Sequence, residues 1–91
     1  MRADKEIVLA AVSNNGGALR YADRTLRADR HVALAAVSNS GAALQHVDAT
    51  LRGDRQIVME AVAGYGAALE YAMSDLRADK DLVVSAVSNY G

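Results

Sequence analysis

Apolar residues recur along this chain in short stripes that return every 25 positions. In the first stripe Ile7, Val8, Ala11, Val12 and Asn15 share one face at roughly 3.6-residue spacing, the period of an α-helix. Glu6, Ala10, Ser13 and Asn14 form the opposite, wetter face, and Leu9 widens the apolar side. The stripe opens after Asp4, whose carboxylate can accept bonds from the free N–H groups of a first helical turn. It stops at Gly16, the usual residue for a left-handed C-terminal cap. The same plan follows Asp29, Asp54 and Asp79 and stops at Gly41, Gly66 and Gly91. The pattern predicts four long helices, near 5–15, 30–40, 55–65 and 80–90. Shorter helices near 17–23, 42–48 and 67–73 are built on the Ala-Leu pairs 18–19, 43–44 and 68–69. The Leu-Arg pair that closes each unit is either a further single turn or the tail of the short helix. Val12, Val37, Val62 and Val87, each preceded by Ala, are the expected core, and no strand is expected.

The period carries no insertion: Leu26, Leu51 and Leu76 are 25 apart, as are Asp4, Asp29, Asp54 and Asp79. Such a period belongs to stacked helical units rather than to one globular core. The expected fold class is all-α, with tandem 25-residue two-helix repeats stacked as a short α-solenoid. The chain reads as one domain, 1–91, with units 1–25, 26–50 and 51–75 and a partial unit 76–91. Neither helix of a unit is long enough to be stable alone, so stability must come from stacking.

Composition narrows the function classes. Ala and Val dominate the apolar residues, Trp and Phe are absent, and four Tyr supply the aromatic mass. Ten basic residues face eleven acidic ones, for a net charge of −1, so no nucleic-acid surface is expected. With no Cys there are no disulfides or thiolate metal sites. The opening Met1-Arg2-Ala3-Asp4 is already in repeat register and reads as neither a signal nor a transit peptide. No apolar run approaches the roughly 18 residues that span a bilayer. A soluble protein of the cytoplasm or an organelle is expected.

The pattern L-R-x-D-[RK]-x-[IV]-V-L-x-A-V-x-x-x-G-x-A-L-x-Y-A runs through Arg27, Asp29, Arg30, Ala36, Val37, Gly41, Ala43 and Leu44 and their counterparts. It resembles the repeats called domain of unknown function 4116, over the whole chain. The resemblance implies a repeat fold and carries no catalytic role with it. The third unit departs from the pattern with Gly53 in place of Ala and with Gly64 late in its helix.

Four groups of residues are candidates for chemistry. Arg-x-Asp-[Arg/Lys] recurs at Arg2-Asp4-Lys5, Arg27-Asp29-Arg30, Arg52-Asp54-Arg55 and Arg77-Asp79-Lys80. A cation just inside a helix N-terminus opposes the helix dipole. The expected remedy is a ladder between units, in which Arg27, Arg52 and Arg77 pair with Asp29, Asp54 and Asp79 of neighbours. The alternative is a basic row for an acidic segment or a lipid headgroup. Tyr21, His46 and Tyr71 form one column, read as half-buried rings or as an aromatic groove. Tyr65 and Tyr90 share a column with Asn15 and Ser40 and suit an interface. Finally Leu82, Val83 and Val87 line the last helix, read as an interaction surface.

Nothing in the sequence converges as an active site. His31 and His46 lie in different columns, so no metal site is expected. Ser13, Ser38 and Ser88 share a column with no paired His, and Gly16-Gly17 lacks the strand and Lys of a phosphate loop. The expectation is a non-catalytic module without cofactors that binds other protein subunits. It would serve as an accessory or scaffold subunit of a larger assembly, peripheral contact with a membrane complex included. The alternative is a piece of a longer array whose function lies elsewhere, or a weak ligand- or RNA-binding repeat.

Overall fold

The computed structural model describes residues 4–90, with side chains described as far as 88. All elements among the described residues are helical. Long helices α1 (Lys5–Asn14), α3 (Arg30–Asn39), α4 (Arg55–Gly64) and α6 (Lys80–Tyr90) alternate with 3₁₀ helices η1 (Gly16–Tyr21), η2 (Gly41–His46) and η4 (Gly66–Tyr71). A separate single turn follows each 3₁₀ helix: α2 (Arg24–Arg27), η3 (Ala49–Leu51) and α5 (Ser74–Arg77). The Leu-Arg pair therefore closes a turn of its own. The chain breaks before it because Ala22, Val47 and Ala72 are extended.

Each long helix starts where an Asp caps it. Asp4, Asp29 and Asp54 accept from the N–H groups two and three residues on, at 2.9–3.3 Å, and Asp79 does the same for Asp81 and Leu82. These caps occupy donors that the first turn of a helix cannot pair internally.

Each long helix packs against the long helix before it, against the preceding 3₁₀ helix and, where one follows, against its own. Val8, Val12, Leu19, Val32, Val37, Leu44, Ile57, Val58, Val62 and Leu82 are fully buried between them. Val12, Val37 and Val62 thus lie in the core, as their spacing requires. Val87 does not: it is 72% exposed, because its three counterparts are covered by a following 3₁₀ helix and it has none among the described residues. Ile7, placed on the inner face by spacing, is 58% exposed, whereas Val32, Ile57 and Leu82 in the same column are buried by the preceding unit.

The helix-ending glycines act sterically rather than conformationally. The last helical residue is Asn14, Asn39 or Gly64, and the next residue is extended. Gly16 and Gly41 open the 3₁₀ helices, and neither lies in the left-handed region. A Cβ at Gly16 would collide with the Ala36 carbonyl oxygen, and one at Gly41 with the Ala61 carbonyl oxygen and the Tyr65 Cβ. Glycine is required because the chain passes directly over the helix of the next unit.

Further bonds fasten one unit to the next. The Asp48 N–H donates to the Arg27 carbonyl at 3.0 Å, and the Met73 N–H donates to the Arg52 carbonyl at 3.2 Å. Between the first two units the Asn39 carboxamide makes a clamp. Its Oδ1 accepts from the Gly16 N–H at 2.7 Å and its Nδ2 donates to the Ser13 carbonyl at 3.1 Å. The same position in the next unit is Gly64, and a Cβ there would meet nothing within 4 Å. A cleft of about 310 Å³ lies there, lined by Ser38, Gly41, Gly64 and Tyr65 among others.

Gly64→Asn should rebuild this clamp, offering its amide to the Gly41 N–H and the Ser38 carbonyl. With the gain in helix propensity, we expect stabilisation of about 1–2 kcal/mol. A thermal or urea melt followed by circular dichroism reads it directly. An unchanged or lowered midpoint would show that the clamp contributes nothing at this junction.

Candidate functional site

The repeated motif places its charges at the junctions between units. Lys5 Nζ lies 3.1 Å from Asp29 Oδ2, Arg30 Nε 2.9 Å from Asp54 Oδ2, and Arg55 Nε 3.1 Å from Asp79 Oδ2. Arg55 also reaches Asp81, at 3.4 Å, and Arg30 bonds the Gln56 side chain. Each cation sits just after its own capping Asp and extends 24 residues forward to the cap of the next unit. The unfavourable position of a cation in a first turn is offset by that next carboxylate.

The expected ladder is corrected in one part. Its acids are Asp29, Asp54 and Asp79, but its cations are Lys5, Arg30 and Arg55, not Arg27, Arg52 and Arg77. The latter three close the single turns instead. Two of them meet the next unit through their backbone carbonyls, and none forms an ion pair among the described residues. Arg27 Nε is buried without a hydrogen-bond partner. Arg2 lies outside the described residues.

The ladder holds its acids ionised. The Arg30 guanidinium, with N–H bonds from Ile57 and Gln56, lowers the Asp54 carboxyl below its ordinary value of 3.8 against the opposing effect of burial. For Asp29 burial is the largest single effect and pulls upward. The Lys5 ammonium and the Val32 and His31 N–H bonds together outweigh it, so this carboxyl is lowered too. Asp79 is lowered by Arg55 and then by the Leu82 N–H. On the other edge Asp48 bonds the Thr50 hydroxyl and N–H, and Arg24 lies 3.4 Å away.

The aromatic column lies on the 3₁₀ helices. Tyr21 is 63% exposed with the Arg20 guanidinium over its ring at 4.9 Å, while His46 and Tyr71 are half-buried. Burial, and then the charges of Arg20 and Arg27, push the His46 imidazole below its ordinary 6.5. Arg52, Tyr71, Met73 and Arg77 line a cleft of about 290 Å³ between η3 and α5, with Glu70 also at its wall. Met73 stands where the earlier units have Asp23 and Asp48, and Gly53 faces it: a Cβ at 53 would strike the Met73 thioether. Met73 is thus a further departure of the third unit, and it fits Gly53. A methionine in the capping column signals an altered surface, but its contact with Gly53 could not be read from spacing.

Of the residues read as an interaction surface on the last helix, Leu82 is fully buried against the preceding unit and is core. Val83 and Val87 are exposed, as is Val84, which the same helix adds. Tyr65 caps the junction of α4 and η4 and is part-exposed beside Gly41. The Tyr90 side chain lies outside the described residues. Among the described residues no cluster of His, Cys, Asp and Glu could hold a metal ion. No helix there is long and apolar enough to cross a membrane.

The family model described as Domain of unknown function (DUF4116) matches residues 4–52, 29–77 and 54–91, three overlapping segments offset by one period. The chain belongs to this family. No curated protein and no solved structure matches it. In this DUF4116 chain every match spans a junction between consecutive units, where the Asp caps, the cations and the glycines meet.

The lowered carboxyls set a pH dependence. A folded value below the unfolded one stabilises the fold fully above the ordinary Asp value and loses that contribution as pH falls through the folded one. The melting temperature should therefore hold down to about pH 5 and then fall as Asp29, Asp54 and Asp79 protonate. Arg30→Ala should cost about 0.2–1 kcal/mol at neutral pH and reduce the acid-induced loss. A variant that melts like the parent at pH 7 and shows the full acid loss would remove the ladder from the account.

Proposed function

We propose that this chain is a non-catalytic protein-binding module whose units stack as a short α-solenoid, each a long helix and a 3₁₀ helix in a 25-residue repeat. In this reading it serves as an accessory or scaffold subunit of a larger assembly. The observation that carries it is the outer face of α6, where Val83, Val84 and Val87 are exposed together. In the preceding units the counterparts of Val83 and Val87 are fully buried or nearly so. Grouped apolar side chains on a helix face are a contact surface in the making. The polar residues support binding over catalysis: the capping Asp side chains hold helix N-termini and cations, and Ser38 Oγ bonds Glu60 at 3.2 Å.

A second reading has one observation in its favour. Lys80 occupies the ladder column of Lys5, Arg30 and Arg55, and no carboxylate pairs with it among the described residues. A further repeat with its own capping Asp would supply that partner and cover the valines as well. The module would then be part of a longer array.

Mass in solution across a concentration series separates these readings from a self-sufficient fold. The chain should associate with itself or with an added partner, and Val84→Glu with Val87→Lys should abolish that association while leaving the helical signal intact. A monomer at all concentrations that captures nothing from its native source would remove the support for α6 as a binding face.

A further inference from the structure

Seven cations of the ladder, the Asp48 edge and the Leu-Arg turns divide into two sets. Lys5, Arg24, Arg30 and Arg55 each pair with an Asp. Arg27, Arg52 and Arg77 share one column, and none forms an ion pair among the described residues. The acids two positions beyond them are already engaged, Asp29 by Lys5, Asp54 by Arg30 and Asp79 by Arg55. The column is therefore a row of guanidiniums in which the Asp two positions beyond each one is engaged by another cation.

Two of these guanidiniums wall the same cleft. Arg52 and Arg77 line the space of about 290 Å³ together with Tyr71 and Met73. Met73 is 53% exposed, and Gly53 leaves room for it. One unit earlier Arg27 lies close enough to His46 to lower its affinity for a proton, and its Nε is buried without a partner. That Nε is enclosed and out of reach of a ligand, so the donors open to one are those of Arg52 and Arg77 in the cleft. Guanidiniums are planar forks that fit carboxylates in bidentate fashion.

We propose that the Arg52–Arg77 cleft binds an acidic peptide segment. One carboxylate sits between the two guanidiniums, and the neighbouring apolar side chain rests on Tyr71 and Met73. Two features favour a peptide over a nucleic acid. The cleft wall sets one carboxylate, Glu70, beside its guanidiniums, so an occupant whose acids alternate with apolar residues can keep them on the arginines, whereas a continuous phosphate backbone would place charge against Glu70. The thioether and the ring suit an aliphatic side chain set between acids. This inference deepens the protein-binding reading but uses a surface separate from α6.

The test is a fluorescence-anisotropy titration of the 91-residue chain with a labelled peptide of alternating Glu and Leu, at low and at physiological salt. Binding is expected, weaker at the higher salt, and lost by about tenfold or more in Arg52→Gln with Arg77→Gln. Glu70→Gln should tighten it. Arg55→Gln, which breaks the ladder, should leave it unchanged although the chain melts earlier. A Lys-Leu peptide should not bind. Absence of binding at low salt, equal affinity in the double variant, or tighter binding to single-stranded oligonucleotide would each overturn the proposal. Val84→Glu with Val87→Lys separates the two claims. It should leave peptide affinity intact, so loss of association at α6 with the cleft still working counts against that face alone.

Discussion

The packing of this chain depends on how closely one unit lies on the next. The first residue of η1 and of η2 passes over the carbonyl of an alanine in the following long helix with no space for a methyl group. That approach is available only with glycine above, which is why Gly16 and Gly41 stand over the Ala36 and Ala61 carbonyls. Once the backbones are so close, the columns of Val and Leu around them become a continuous buried set without any large aromatic side chain. A core built from Ala and Val can exclude water only if the helices that carry it nearly touch.

The polar interactions follow from the same spacing. Because successive long helices pack side by side, the cap of one lies within reach of the cation that opens the one before. A single Asp can then serve two purposes, holding two N–H groups of its own helix and a Lys or Arg from its neighbour. Such exposed pairs contribute little energy singly. Their value here is register, since a cation at each junction finds its acid only when the units are aligned. Asn39 adds a second check of register where it bridges Ser13 and Gly16.

Much of this was legible in the sequence because it is local. Asp at a helix start and apolar spacing near 3.6 are properties of one segment, so the caps and the burial of Val12, Val37 and Val62 could be read directly. Three things could not be read so. A glycine after a helix signals a left-handed cap as readily as a tight crossing, and only the position of Ala36 and Ala61 shows that the crossing applies. The ladder runs 24 residues forward from the residue after the cap, so its true cations lie three residues beyond the Arg column that spacing suggested. Column membership also fixes a residue's place within its unit, not the presence of a neighbour. Val87 and Ile7 match buried counterparts in type and differ from them in exposure for that reason alone. The proposed acidic-peptide cleft was foreshadowed only by the alternative reading of the Arg column as a basic row for an acidic segment. Its shape depends on Met73 and Gly53, which the repeat pattern treats as irregularities.

Two glycines, Gly41 and Gly64, give the most direct test of close stacking. Gly41 sits against the Ala61 carbonyl and the Tyr65 Cβ, whereas Gly64 has open space around it at the end of α4. Chemical denaturation of Gly41→Ala and Gly64→Ala should move in opposite directions. The first should lose about 1–3 kcal/mol to overpacking, and the second should gain up to about 1 kcal/mol from helix propensity. If Gly41→Ala were as stable as the parent or more so, the junctions would have room to spare, and the packing described above would be wrong.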